Sequence, residues 1–279
     1  MATIIIITDF SDTARNALRY ACDFSAASNK IRLLLVNISE VPTSYSGDGV
    51  AMAAISDTLR DKNSRLQDAI ETVNLSSERP PVQYKALLGN FIPTLRELID
   101  EEDAALVVMG TPAAYGEIWA WDTDILSALT ELPVPVLTVP EAVVFTPIKN
   151  IAFASIPGNL HSASPIESIK KFVRYTGAHL HVVMVTAPGY DGKKEKQAIV
   201  SLNSQLEELA PRYHTIDQPH IVQAIGRFVE QQQIDLLLVR PRKHGIWYNL
   251  FHKSYAKELA KLNLIPVMAL HEKWKVDGA

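Results

Sequence analysis

The sequence predicts an α/β fold made of two copies of one doubly wound unit, and three observations support this prediction. Short apolar runs alternate with helical patterns over the first 140 residues, an order typical of parallel sheets covered by helices. The same order of elements recurs in the second half. One stretch, residues 92–110, aligns without a gap with residues 222–240, which indicates internal duplication.

Each element of the first half follows from its residue pattern. Ile4 to Ile7 form a continuous apolar run, typical of a strand buried on both faces, and Ser11 is a suitable N-cap for the helix that follows. The other predicted strands are Ile31 to Ile38, Val82 to Leu87, "AALVVMG" and "PVPVLTVP", and further helices are predicted at Ala51 to Val73 and Ile92 to Ile99. The prolines of the closing strand suit an edge or the start of a strand better than the centre of a ladder.

The second half repeats these strands in the same order. "IAFAS" corresponds to the opening strand, "VVMVT" to the second and "NLIPVMAL" to the closing one. We therefore expect two domains, residues 1–141 and 148–272, in a chain whose 279 residues suit two cores of ordinary size. The short linker between them predicts that the two domains pack together.

Composition excludes several classes of protein. The hydrophobic content of 47% is that of a globular protein, and a net charge of −4 argues against general affinity for nucleic acid or membranes. Cys22 is the only cysteine, so neither a disulfide framework nor a cysteine metal cluster is expected. No apolar run approaches the roughly 20 residues of a membrane span, and no leader precedes the first strand. A cytoplasmic protein is the expectation.

The pieces "IIIITDFSDTARNALRYA", "LLLVNI", "ALVVMGT" and "PVPVLTVP", in this order and with their counterparts in the second half, resemble the universal stress protein family. The likeness is to its tandem members, in which two domains are fused. This resemblance implies that each domain has a Rossmann-like fold of the adenine nucleotide alpha hydrolase type. Each would hold a five-stranded parallel sheet with helices on both faces, and the two domains would pair through their last strands.

Nucleotide-binding members of that family carry the motif G-x2-G-x9-G-[ST], whose glycines let backbone amides approach phosphate oxygens. In the first half its four positions fall on Gly110, Ala113, Thr123 and Asp124, and only the first matches. A carboxylate about 4 Å from a phosphate oxygen is repelled by about 4 kcal/mol at an effective dielectric of about 20. One neutral hydrogen bond contributes only about 1 kcal/mol. We therefore expect no triphosphate binding of the family type here.

The resemblance also implies ligand contacts on the first two strands. Asp9 corresponds to the acidic residue that faces adenine or ribose, Val36 to the apolar residue beside adenine, and Thr111 follows the conserved glycine. Together with Gly110 they are the nucleotide- or anion-binding candidates of the first half. For Asp9 a second interpretation stays open, because an Asp at a strand end is also a common helix-capping residue.

In the second half the motif positions fall on Arg240, Lys243, Lys253 and Ser254, so all three glycines are missing and only the hydroxyl is kept. The loop also contains Arg242 and carries no acid. These five residues are candidates for binding an anion such as phosphate, a nucleotide tail or an acidic partner. The alternative is a solvated loop whose charges only aid solubility.

These patterns predict a non-enzymatic stress-response protein that binds a ligand or a protein partner. The alternative is a protein that binds ATP or AMP, or hydrolyses nucleotide weakly, through the basic loop of the second half. ATP or another adenine nucleotide is thus the candidate cofactor. No catalytic residue and no metal site are expected, because His179 and His181 share one face of a strand without a third ligand. Expected partners are the other domain of the same chain, a second copy in a homo-oligomer, a small anion or a protein, and neither nucleic acid nor a membrane.

Overall fold

One ten-stranded sheet runs through the chain. This computed structural model describes residues 2–26, 28, 30–40, 49–73, 80–112, 123–155, 164–186, 192–217, 221–240 and 265–271. In the first half the strands are β1 (Ala2–Ile7), β2 (Ile31–Ser39), β3 (Val82–Leu88), β4 (Ala104–Thr111) and β5 (Val136–Pro140). The helices are α1 (Asp12–Ser25), α2 (Gly49–Val73), α3 (Phe91–Glu101) and α4 (Thr123–Glu131).

The second half repeats this succession. Its strands are β6 (Asn150–Ser155), β7 (His179–Thr186), β8 (Arg212–Asp217), β9 (Leu236–Val239) and β10 (Val267–Ala269). Its described helices are α5 (Ser164–Thr176), α6 (Gly192–Leu206) and α7 (Ile221–Gln231). The ungapped repeat seen in the sequence corresponds to α3 with β4 in one half and α7 with β9 in the other. The predicted α/β fold of two Rossmann-like units is therefore confirmed.

The strand order is β3-β2-β1-β4-β5-β10-β9-β6-β7-β8. All neighbours inside one half are parallel, whereas β5 and β10 pair antiparallel, with Val267 opposite Thr138 and Ala269 opposite Val136. Of the two positions that the prolines suit, the start of a strand is confirmed, since Pro133 and Pro135 stand directly before β5; an edge position is not, because β5 is central, and Pro140 is its last residue. Because the central pair is antiparallel, the carboxyl ends of the two parallel sets lie at opposite edges of the sheet.

Two apolar clusters cover the two faces of this sheet, and each contains residues of both halves. One joins residues of α1, α2, α5 and α6, such as Leu18, Leu66 and Phe172. The other joins residues of α3, α4 and α7, such as Leu95 and Leu129. Since burial of apolar surface is the main stabilising contribution to folding, clusters shared in this way hold the two halves together as one body.

The linker between the halves contributes to the first cluster through Phe145. Its ring meets Tyr20 of α1 edge to face, with centroids 5.2 Å apart, and Phe24 at 6.1 Å. Phe24 in turn stacks on Phe172 of α5, with centroids 6.3 Å apart. The amide of Asn16 donates to two carbonyls, those of Pro140 and Val143, which fixes the start of the linker against α1. The linker is thus part of the contact between α1 and α5.

Candidate functional site

The turn between β1 and α1 is organised by its own side chains. Oδ1 of Asp9 accepts hydrogen bonds from the backbone N–H and the hydroxyl of Ser11. The Ser11 hydroxyl oxygen in turn accepts from the backbone N–H of Ala14 at 3.2 Å, so the predicted N-cap is confirmed. Asp9 is exposed and has a capping-turn role in this structure. Its contact with a ligand stays a prediction.

The end of β2 is equally well ordered by internal contacts. Val36 is fully buried in the cluster that contains Leu95 of α3, and its carbonyl accepts the N–H of Thr8 at 2.9 Å. The side-chain amide of Asn37 donates to the carbonyl of Thr8 at 2.7 Å, and its oxygen accepts from the Ser39 hydroxyl. Hydrogen bonds within the protein therefore align the ends of β1 and β2 without a ligand.

Gly110 lies where β4 passes the first turn of α1. A Cβ added to it would fall 2.8 Å from the backbone nitrogen of Ala14 and closer still to the carbonyl of Thr13. No side chain fits at that distance, so the one motif glycine kept in the first half is required for packing. Thr111 is buried, and its carbonyl accepts the backbone N–H of Glu141 at 2.9 Å.

Asp124 stands in the first turn of α4, beside the positive end of the helix dipole. A carboxylate there provides the negative charge that a bound phosphate would otherwise bring. The loop before it, residues 113–122 with Ala113, lies outside the described residues, and the side chain of Thr123 is not described either. Of the motif positions that the structure describes, Gly110 is thus accounted for by packing against α1, and Asp124 places a carboxylate where the motif has a hydroxyl.

In the second half the structure describes one candidate, Arg240, directly after β9. Arg242, Lys243, Lys253 and Ser254 lie outside the described residues. Arg240 is close enough to His271 to affect its protonation. Burial is the main cause that lowers the pKa of His271 to about 4, and the nearby Arg240 charge lowers it further. The hydrogen bond to the Leu129 carbonyl raises the pKa and so opposes these two effects.

His271 joins the end of β10 to α4 of the other half. Its Nε2 lies 3.0 Å from the carbonyl oxygen of Leu129. Because a carbonyl can only accept, Nε2 carries the hydrogen and the ring is the neutral tautomer protonated at that atom. No sequence pattern pointed to this contact between the halves.

His181 is paired with another histidine on the neighbouring strand. Its Nδ1 lies 3.1 Å from Nε2 of His214, and the ring planes differ by only 5°, with centroids 5.2 Å apart. These values describe two nearly parallel rings joined by one N–H···N hydrogen bond. Burial is the main cause that lowers the pKa of both rings.

A cleft of ≈ 310 Å³ opens between α1 and α2 beside the turn after β1. Its lining includes Thr8, Phe10, Arg15, Arg65, Asp68 and Thr72. Phe10 has φ of 70°, in the left-handed region. The guanidinium carbon of Arg65 lies 4.0 Å from the centroid of the Phe10 ring, and Nζ of Lys62 lies 5.3 Å from it. No sequence pattern indicates this group, because its members come from two helices and a turn and share no spacing.

A family model for the universal stress protein family matches residues 1–140, half of the chain. The chain belongs to this family. No curated protein matches the sequence. Among the described helices, none has the length and apolar character needed to cross a membrane. Nor do the described residues contain a group of three or more side chains placed to hold a metal ion.

Solved structures share the fold over the full length. A universal stress protein from Archaeoglobus fulgidus DSM 4304 is 17% identical, with 97% of this chain and 98% of that chain covered and a TM-score of 0.66. A universal stress protein from Pseudomonas aeruginosa UCBPP-PA14 is 13% identical, with 97% and 93% covered and a TM-score of 0.54. The cytoplasmic domain of a prokaryotic cation chloride cotransporter is 9% identical, with 97% and 96% covered and a TM-score of 0.53. At these identities the likeness concerns the fold alone.

Proposed function

We propose that the chain is a non-enzymatic stress-response protein built of two fused domains, residues 1–141 and 148–272, that acts by binding a ligand or a protein partner. In this proposal the phosphate loop of the first half does not hold ATP. The observation that supports it best is Gly110, whose missing side chain is accounted for by the backbone of α1 and not by a phosphate.

Two further observations support the same proposal. Asp124 provides a negative charge in the first turn of α4, where a triphosphate would need donors. Asp9 uses Oδ1 for the turn before α1. A triphosphate at this edge would meet the Asp124 carboxylate with a repulsion of about 4 kcal/mol, more than one recovered hydrogen bond of about 1 kcal/mol offsets.

The test restores the family motif. Mg-ATP at millimolar concentration should leave the melting temperature of the wild-type protein unchanged, whereas a variant with Ala113→Gly, Thr123→Gly and Asp124→Ser should be stabilised by it. Asp124→Asn serves as the control for charge alone. Wild-type binding of ATP that Asp124→Asn strengthens would place the nucleotide at this loop and remove the basis of the proposal, and so would release of phosphate from ATP by the wild-type protein.

The second candidate function is binding of an adenine nucleotide or another anion by the loop after β9, with weak hydrolysis as its enzymatic form. The position of Arg240 directly after β9 favours it, because it puts a cation at the carboxyl end of that strand. Phosphate or ATP should then raise the melting temperature, and Arg242→Glu with Lys243→Glu should abolish that rise. Arg19→Glu with Arg60→Glu, which changes two exposed arginines of α1 and α2, is the matched control.

We further propose that the first partner of each domain is the other domain, since β5 and β10 already pair within the chain. A homo-oligomer would then have to assemble through another surface, which sedimentation of variants on β3 and β8, the two edge strands, can test. With a net charge of −4, we expect binding of neither nucleic acid nor membranes. Action in the reducing cytoplasm is part of this proposal, and a sequence with a single cysteine, the buried Cys22, is compatible with it.

A further inference from the structure

We propose that the cleft between α1 and α2 binds a small phosphorylated sugar. This cleft shares the turn around Asp9 with the family's nucleotide position but extends away from Val36. The cleft lies on the face of the sheet covered by α1 and α2, whereas Val36 packs on the opposite face with α3. The inference therefore stands whether or not the motif at Gly110 holds ATP.

An excess of positive over negative charge in the cleft is the first argument. Arg65 and Lys62 both lie over the Phe10 ring, and neither forms an ion pair within the part of the chain that the structure describes. Arg15 lines the same cleft from α1 and uses one guanidinium nitrogen, Nη1, for Asp12 at 2.6 Å. Its other guanidinium N–H groups can meet an oxyanion, and two guanidinium groups from different helices are suited to a phosphate group.

The backbone at Phe10 is the second argument. A bulky residue with φ of 70° is strained, because its Cβ approaches the neighbouring carbonyl, and glycine is the residue that avoids this strain. Strained conformations of this kind cluster at binding sites. Here the strained residue provides the ring on which the Arg65 guanidinium is stacked at 4.0 Å, facing the cleft.

The remaining lining determines the class of ligand. Asp68 brings one carboxylate into the cleft, which would repel a bare phosphate but accepts hydrogen bonds from hydroxyl groups. The hydroxyls of Thr8 and Thr72 also line it; each already has one backbone partner, Phe10 N–H and the Asp68 carbonyl respectively. A ligand with a phosphate for the arginines and hydroxyls for Asp68 satisfies both charges. The volume of ≈ 310 Å³ is at the small end of ligand sites, which fits a sugar phosphate better than a dinucleotide.

The experiment is titration calorimetry of the full chain with ribose 5-phosphate, inorganic phosphate and ribose. The sugar phosphate should bind more tightly than inorganic phosphate, and ribose should not bind. Arg15→Gln and Arg65→Gln should each weaken the sugar phosphate about tenfold, as expected for loss of a charged hydrogen bond. Rising salt should weaken it as well.

Matched controls come from the same two helices. Arg19→Gln on α1 and Arg60→Gln on α2 remove exposed arginines outside the cleft and should leave the affinity unchanged. Asp68→Asn should weaken ribose 5-phosphate while strengthening inorganic phosphate. Phe10→Gly, which suits the backbone angle but removes the ring under Arg65, should lower the affinity.

Three results would overturn the inference. The first is no binding of ribose 5-phosphate at millimolar concentration by a folded wild-type protein. The second is equal loss of affinity in the cleft variants and in their controls, which would indicate only nonspecific charge attraction. The third is binding that Asp124→Arg strengthens while Arg15→Gln and Arg65→Gln leave it unchanged, which would move the ligand to the segment after β4.

Discussion

The contact between His271 and α4 makes the stability of the protein depend on pH in a defined direction. The folded protein holds this ring neutral, with a pKa of about 4, while in the unfolded chain it protonates near its ordinary value of 6.5. Above pH 6.5 both states are neutral and the contribution is complete. As the pH falls from 6.5 to about 4, the unfolded state takes up a proton that the folded state does not, so the free energy of unfolding falls. Below that pH both states carry the proton.

The magnitude follows from the change in pKa. At about 1.36 kcal/mol per pKa unit, a pKa lowered from 6.5 to about 4 corresponds to about 3 kcal/mol of stability lost over that range. The protein should therefore lose several kcal/mol between pH 7 and pH 4.5. His181 and His214, whose pKa values are also lowered, add to the loss in the same direction.

Urea unfolding of wild-type protein and of His271→Gln at pH 7 and pH 4.5 isolates the contribution. Glutamine can still donate to the Leu129 carbonyl but cannot take up a proton, so the variant should lose about 2–3 kcal/mol less than the wild type between the two pH values. His179→Gln, a change at an exposed histidine, should behave like the wild type. Equal losses in wild type and His271→Gln would refute the reasoning.

Three further predictions concern stability, each measured by urea unfolding. Gly110→Ala should lower the free energy of unfolding by about 3 kcal/mol or more, because the added methyl group meets the α1 backbone. Gly177→Ala, with open space around it, should lower it by only about 1 kcal/mol, because of its left-handed φ of 67°. Similar losses in the two variants would contradict the packing role of Gly110. Phe145→Ala should cost about 2 kcal/mol through lost contacts with α1, and Val144→Ala, at 74% exposure, almost nothing. Asn37→Ala should cost about 1–3 kcal/mol, since the buried Thr8 carbonyl loses its amide donor, and an unchanged stability would contradict this.

Local pattern was enough for most of the secondary structure. Ile4 to Ile7 are apolar without alternation because both faces of β1 are covered, and Ser11 is followed by an amphipathic helix because its hydroxyl caps the first turn. The internal repeat then gave the second half the same order. The position of β5 could not be read from its prolines, because residues about 130 positions away along the chain provide the partner strand, β10.

The features of the candidate site were likewise only partly predictable from the sequence. The sequence indicated that the phosphate motif of the first half keeps one glycine of three and carries Asp124 in place of a hydroxyl residue. It could not indicate why Gly110 is kept, because the reason is the backbone of α1, which approaches it only after α1 packs on β4. The cleft with Arg15 and Arg65 was missed for the same reason: residues on separate helices become neighbours only through tertiary packing.

The sequence by itself determined the family, the two repeated α/β units and the departures from the family's phosphate motif, because each of these depends only on periodicity, order and residue type along the chain. Only the tertiary structure decided that the two units share both apolar clusters and that their carboxyl edges face opposite ways. The tertiary structure alone showed that the Phe10 ring lies under the Arg65 guanidinium and that the His271 ring contacts α4. These features depend on distances between residues far apart in the chain, and packing of buried surface, not local pattern, sets those distances.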